Sequence, residues 1–192
     1  NWDGIGKPPQ PIIRQLNMQL RQSKFRKPTV ITCSSHIIVR MIGRFCRLRC
    51  RAISSFSGGE NDPFNLIEAL IIAGYVVGAT DGYIYMRAEY ACFRPLLLNA
   101  IRQAKNYGFL GENILGKGFD FNLHLYSGGG AYVCGEGTAL IRSIEGKAGR
   151  PRMKPPFIKV SGLFARPTCL NNVESLALVP HLLMDEDQVY AK

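Results

Sequence analysis

From Pro63 onward the apolar positions of this chain alternate between two rhythms. Pro63 to Gly78 opens on a proline, carries apolar residues at helical spacing and closes on a glycine, which predicts a buried helix. Tyr83 to Arg87 (Tyr-Ile-Tyr-Met-Arg) predicts a strand. Phe93 to Tyr107 is amphipathic and predicts a second helix, with Gly108 at its C-cap. Phe119 to Tyr126 alternates apolar and polar residues and predicts another strand. Gly128-Gly129-Gly130 follows, then a helix from about Gly135 to Ile144. Strands and helices in alternation, with a glycine loop between a strand and a helix, predict an α/β layered fold with a largely parallel sheet.

The first third has a different texture. Asn1 to Pro28 is rich in Gly, Pro, Gln and basic residues and reads as an irregular basic arm with one short helix around Ile12 to Gln22. Lys27 to Cys33 is β-branched and predicts a strand. Between Ser34 and Arg51 apolar residues alternate with Arg40, Arg44, Arg47, Arg49 and Arg51; the last three would alternate along a strand and fan out on a helix. Ser54 to Asp62 reads as a polar loop. The expected organisation is an arm over residues 1–28, an α/β domain over 29–180 and an acidic tail over 181–192.

Charge sharpens this division. The net charge is +10, yet residues 1–60 hold 11 Lys and Arg against two acids, while residues 61–192 hold 13 against 12. A basic third suits nucleic acid, an anionic membrane, an acidic partner or simply a solvated arm. Its arginines lack interleaved aromatics beyond Phe45 and Phe56, and no reader motif is present, which argues against a nucleic-acid module. With 192 residues, 46% hydrophobic and 20% charged, the composition is that of a globular domain with a real core. The longest apolar stretch, Leu66 to Ala79, contains Glu68 and falls short of the roughly 18–20 residues a membrane helix needs. Six scattered cysteines without a C-x-x-C are expected as reduced thiols in a cytosolic-type compartment, not as staples or a zinc site.

The candidate chemistry lies in residues 128–174. Gly128-Gly129-Gly130, between a strand and a helix, is either a tight turn or a cradle where backbone N–H groups meet an anion or a flat ring. It is not the G-x-G-x-x-G of a standard dinucleotide fingerprint. Taken singly, Glu136 suits a helix start, Tyr132 suits a core, Lys154-Pro155-Pro156-Phe157 suits a rigid surface linker, and Asn171-Asn172 suits a turn or an N-cap pair. In this order and spacing they suit a nucleotide ligand lying against backbone.

The same blocks carry a family resemblance. Ile-Glu-Ala-Leu-Ile-Ile-Ala-Gly-Tyr, Gly-Tyr-Ile-Tyr-Met-Arg-Ala-Glu-Tyr, Gly-Gly-Ala-Tyr-Val-Cys-Gly-Glu-Gly-Thr-Ala-Leu, Pro-Arg-Met-Lys-Pro-Pro-Phe and Pro-Thr-Cys-Leu-Asn-Asn-Val-Glu-Ser fall in sequence between about Pro63 and Pro180. This order resembles the flavin-carrying, NADH-oxidising subunit of respiratory complex I and the related subunits of NAD-linked hydrogenases and formate dehydrogenases. The resemblance implies a Rossmann-like domain in which Gly128, Gly129, Gly130, Tyr132 and Glu136 line a flavin mononucleotide (FMN) pocket. It implies that Leu170, Asn171, Asn172 and Ser175 hold the flavin and its phosphate, and that Lys154 and Phe157 lie near the nicotinamide nucleotide. Hydride would pass from NADH to FMN and electrons onward to iron–sulfur clusters of partner subunits, with the cluster ligands outside this chain and the membrane reached only through the complex.

Four departures from the family pattern accompany the match. Asn1 to Pro28 lacks the glycine-rich flavin loop, and Ser34 to Arg51 stands where an acidic motif should follow Cys33. The usual Gly-Glu-Glu is Gly135-Glu136-Gly137, which removes one carboxylate. The chain also stops before the family's downstream cluster domain. A non-catalytic structural or interaction remnant, or a basic nucleic-acid-binding module, is the alternative expectation.

Overall fold

The computed structural model describes residues 36–41 and 63–184, so the arm, the predicted strand at Lys27 to Cys33 and the tail beyond residue 184 lie outside the described residues. Within them, four strands form one sheet: β1 (His36–Met41), β2 (Asp81–Met86), β3 (Asn122–Ser127) and β4 (Thr168–Asn172). Their spatial order is β3-β2-β1-β4, and every neighbouring pair is parallel. Parallel neighbours require crossovers long enough to return the chain. The helices provide them: α1 (Pro63–Val77) precedes β2, α2 (Arg94–Asn106) precedes β3, and α3 (Gly137–Ile144) precedes β4. Two short helices, α4 (Val173–Ala177) and α5 (Val179–Met184), follow the last strand.

The sheet is covered on both faces. Successive side chains along a strand point to opposite faces. Thus Ile84 and Met86 of β2 join one apolar cluster with Phe64, Leu70, Leu97 and Phe121, while Tyr85 joins the other with Ile38, Leu140 and Ile141. Helix α1 is buried without interruption from Phe64 to Ile71, as its apolar run predicts. Its one buried amide is satisfied by tertiary contact, since Asn65 Nδ2 donates to the Ala177 carbonyl at 3.1 Å and ties α1 to α4.

The layered α/β reading and the parallel sheet agree with the structure, and the helices over 63–77, 94–106 and 137–144 sit within a few residues of their predicted bounds. Two strands differ from expectation. β1 lies inside the arginine-alternating segment and occupies the centre of the sheet, because His-Ile-Ile-Val opens it with a short apolar run suited to a place between two neighbours. β4 contains Asn171 and Asn172, which the sequence presented as a turn or cap. Asn172 does hold the N-cap position of α4, but its side chain makes no capping bond. The third strand starts at Asn122 because Phe121 turns aside to pair with Gly111 in an isolated antiparallel bridge.

Candidate functional site

An all-parallel sheet collects the carboxyl ends of its strands on one edge. In the order β3-β2-β1-β4 the chain first steps outward from β1 to β3 and then returns to the other side of β1, so the reversal lies between β1 and β4. Open α/β sheets bind ligands in the crevice outside the strand ends at such a reversal. Here it falls where Val39 pairs with Asn171 and Arg40 pairs with Asn172. The glycine run leaves β3 at the opposite edge, three strand positions away, or roughly 14 Å at ordinary strand spacing. The intervening chain closes that distance. A 3-10 turn over Tyr132–Gly135 leads into α3, and Gly137 at its start rests on β4. A Cβ at Gly137 would stand 2.7 Å from Leu170 Cδ2 and 2.9 Å from Ile158 Cδ1. The backbone at Gly137 thus lies against the side-chain ends of Leu170 and Ile158.

The three glycines serve three ends. Gly128 continues the ladder, its amide donating to the Met86 carbonyl at 2.7 Å, and its backbone lies so close to Tyr85 that a Cβ would overlap the phenol hydroxyl. Gly129 faces open space, with nothing within 4 Å of where a Cβ would be. Gly130 adopts φ +79°, which strains an L side chain, and its carbonyl accepts from Arg87 Nη2 at 3.1 Å. The same Arg87 nitrogen donates to Glu89 Oε1 at 2.6 Å, so the turn after β2 grips the loop after β3. Under the loop, Tyr85 meets the Ser143 hydroxyl at 3.2 Å and stacks on Tyr126, whose phenol donates to the Ser143 carbonyl at 2.6 Å. Burial is the main cause that pushes the Tyr85 phenol above its ordinary value, against the opposing bond to Ser143.

Glu136 has two occupied ends. Its Oε2 caps α3, accepting from the amides of Thr138 at 2.7 Å and Ala139 at 3.0 Å and from the Thr138 hydroxyl. Its Oε1 lies 3.4 Å from Lys154 Nζ. Partial burial alone would raise the Glu136 carboxyl; the Thr138 hydroxyl, the two amides and Lys154 outweigh it and hold the carboxyl below the usual carboxylate range. The helix-start reading of Glu136 is therefore correct, and it coexists with the pairing to Lys154.

Around this pair the surface is aromatic and apolar. Tyr132 is 91% exposed, which overturns its reading as a core residue, and Met153 is 90% exposed. Phe157 is also exposed; beside it, Ile158 accepts from the Thr168 amide at 3.1 Å and so fixes the segment to the base of β4. At the other end of β4, Asn171 Nδ2 donates to Cys169 Sγ at 3.3 Å. Glu136, Lys154, Leu170 and the segment of Phe157 are thus gathered at the head of α3, whereas Gly128 and Gly130 are engaged with Tyr85 and Arg87. Ser175 is exposed on α4, past the end of β4. Among the described residues Cys92, Cys134 and Cys169 are free thiols, and no group of His, Cys, Asp or Glu could hold a metal ion.

Sequence reasoning did not single out Arg87, Thr138 or Arg152. The Arg152 amide donates to the buried Thr138 hydroxyl at 2.9 Å, and its guanidinium donates to the Ser161 carbonyl. The only signal was placement: an arginine just past a strand end, and a threonine two residues beyond a capping glutamate.

Residues 59–181 match the family Complex1_51K, described as the Nuo51 FMN-binding domain. The chain is 52% identical over 124 residues to an NADH-quinone oxidoreductase subunit of Aquifex aeolicus (strain VF5), covering 65% of this chain and 29% of that protein. It is 52% identical over 126 residues to the NADP-reducing hydrogenase subunit HndC of Solidesulfovibrio fructosivorans, covering 66% of this chain and 26% of that protein. Its fold is similar to a crystal structure of NAD+-reducing NiFe hydrogenase in the H2-reduced state, with a TM-score of 0.64 and 28% identity over 91% of this chain and 27% of that one. The chain thus spans under a third of the length of these relatives. With the glycine run, the Glu136 cap and the Leu170–Asn172 strand end all inside the matched segment, this chain belongs to the Nuo51 FMN-binding domain family.

Proposed function

We propose that this chain forms the flavin-holding part of an NADH-oxidising subunit, which takes electrons from NADH through FMN and hands them to iron–sulfur clusters of partner subunits. The observation that carries the reading is the head of α3: Glu136 caps the helix against Leu170 at the strand-order reversal and pairs with Lys154. The residues present fit a flavin. Gly129 leaves open space above the backbone, with nothing within 4 Å of where a Cβ would be. Beside it Tyr132 offers an exposed ring. Open backbone beside an aromatic face suits an anionic, planar ligand.

In this reading Gly128 to Gly130, Tyr132, Leu170, Asn171, Asn172 and Ser175 hold the flavin and its phosphate, Glu136 lines the pocket, and Lys154 and Phe157 hold the nicotinamide nucleotide. When bound, FMN supplies acceptance of a hydride and release of single electrons. The residues of the chain bind and orient the two rings and exclude water; none is assigned a proton transfer. No helix among the described residues is long and apolar enough to cross a membrane. Membrane association is accordingly proposed to run through partner subunits.

The test is a titration of the purified chain with FMN, following quenching of flavin fluorescence, and then addition of NADH. Quenching at flavin concentrations on the order of micromolar, with bleaching of the visible flavin band by NADH, is expected. Absence of quenching at about millimolar flavin would overturn the reading and leave a structural remnant.

A further inference from the structure

Residues 152–161 form a strap that carries both Lys154 and Phe157; its Ile158 carbonyl accepts from the Thr168 amide at 3.1 Å, and Arg152 fastens its start. Arg152 closes it by donating from its guanidinium to the Ser161 carbonyl, and the Arg152 amide hangs it from the Thr138 hydroxyl at 2.9 Å. Thr138 is 1% exposed, so its bond to the strap is shielded from solvent. A hydroxyl has one proton and two lone pairs. Thr138 spends the proton on Glu136 Oε2 and a lone pair on the Arg152 amide. The strap, the capping carboxylate and the start of α3 therefore meet at one atom that both donates and accepts. The ion pair between Lys154 and Glu136 spans the same junction from outside, at 3.4 Å with both side chains well exposed, and such a pair contributes little by itself. The buried hydroxyl is the stronger tether.

We propose that Thr138 is a positioning residue that sets where Lys154 and Phe157 stand relative to Glu136, and so governs nicotinamide-nucleotide affinity without touching the nucleotide. The inference rests on the flavin and NADH reading above. Only serine keeps both hydrogen-bonding roles at this position; valine keeps the shape and loses both.

The experiment compares the full chain with Thr138→Val, Thr138→Ser and Arg152→Gln. FMN affinity is read by fluorescence quenching, NADH affinity by bleaching of the bound flavin, and exchange of the strap amides by hydrogen–deuterium exchange without ligand. Thr138→Val is expected to weaken NADH about tenfold, to weaken FMN by a smaller factor because Glu136 keeps its two amide bonds, and to speed exchange at the Arg152 amide. Thr138→Ser should restore all three. Arg152→Gln frees the other end of the strap and should show the same split, which keeps the test open if the valine variant fails to fold. If the unaltered chain binds no flavin, the functional reading itself falls, and this inference with it. If the unaltered chain binds both nucleotides and the foldable variants bind NADH equally well, the tether is overturned and the functional reading stands.

Discussion

Substituting Gly128 by alanine tests whether its contact with Tyr85 requires a glycine. A Cβ there would overlap the Tyr85 hydroxyl and stand 2.9 Å from Tyr85 Cε1. Tyr85 has no room to yield: it is 1% exposed, its hydroxyl meets Ser143 at 3.2 Å, and its ring stacks on Tyr126 with centroids 5.7 Å apart. Overpacking costs about 1–3 kcal/mol, and loss of the hydroxyl's bond costs about 1 more. The stiffer unfolded chain of an alanine variant returns about 0.4–1 kcal/mol, so the net loss should be about 1–3.6 kcal/mol. For a chain of this length that lowers Tm by roughly 2–14 °C.

The sign of a double-mutant cycle then decides the cause. Tyr85→Phe alone should cost about 1 kcal/mol for the hydroxyl's bond. Combined with Gly128→Ala, it removes the overlapping oxygen, so the double variant should be more stable than the sum of the singles by about 1 kcal/mol or more. Recovery will be incomplete, since Cε1 remains close. Chemical denaturation of the four proteins measures this, with m held constant across the set. Additivity within about 0.5 kcal/mol would refute the steric account.

Other outcomes follow from the same geometry. Burial alone would raise the Glu145 carboxyl, but Lys147, the Phe164 amide at 2.9 Å and the charge of Arg152 hold it below the usual range. Its folded pKa is thus depressed, so its stabilisation is complete above about pH 4.3 and is lost as pH falls through the folded value. Glu145→Gln should accordingly flatten the acid limb of the stability–pH curve, and an unchanged limb would count against the ion pairing. Leu140→Ala, at a fully buried site beneath the loop, should cost about 2–5 kcal/mol by urea denaturation. Gly137→Ala should cost under about 1.5 kcal/mol, because the atoms it meets are the flexible ends of Leu170 and Ile158, yet it should weaken FMN several-fold if Leu170 lines the pocket.

The helices were legible because each carries its own evidence: a proline start and unbroken apolar run in α1, and an amphipathic stripe with a glycine stop in α2. The inner strand β1 was not, because a place between two parallel neighbours is a fact about the sheet, and the arginines around His-Ile-Ile-Val hid a short apolar run. β4 was missed for a related reason. Its Thr-Cys-Leu-Asn-Asn has weak strand propensity, and it is held by pairing to β1, not by its own composition.

The site divides along the same line, between what a residue offers and what it is used for. Glu136 was readable as a helix start from its neighbours alone, and the structure confirms the cap; that its other oxygen meets Lys154, 18 positions later, depends on where the strap returns. Gly128, Gly129 and Gly130 are identical letters with different duties, namely contact with Tyr85, open space and a left-handed turn, and nothing local distinguishes them. Thr138 carries the lesson furthest. A threonine in the first turn of a helix is unremarkable in sequence, and its importance comes from one amide 14 residues away that needs an acceptor in a buried place. Where a polar group is used by distant backbone, sequence shows the capacity and only the fold shows the use, so residues of this kind, more than the conspicuous glycines, are where variants of this chain should separate nucleotide binding from stability.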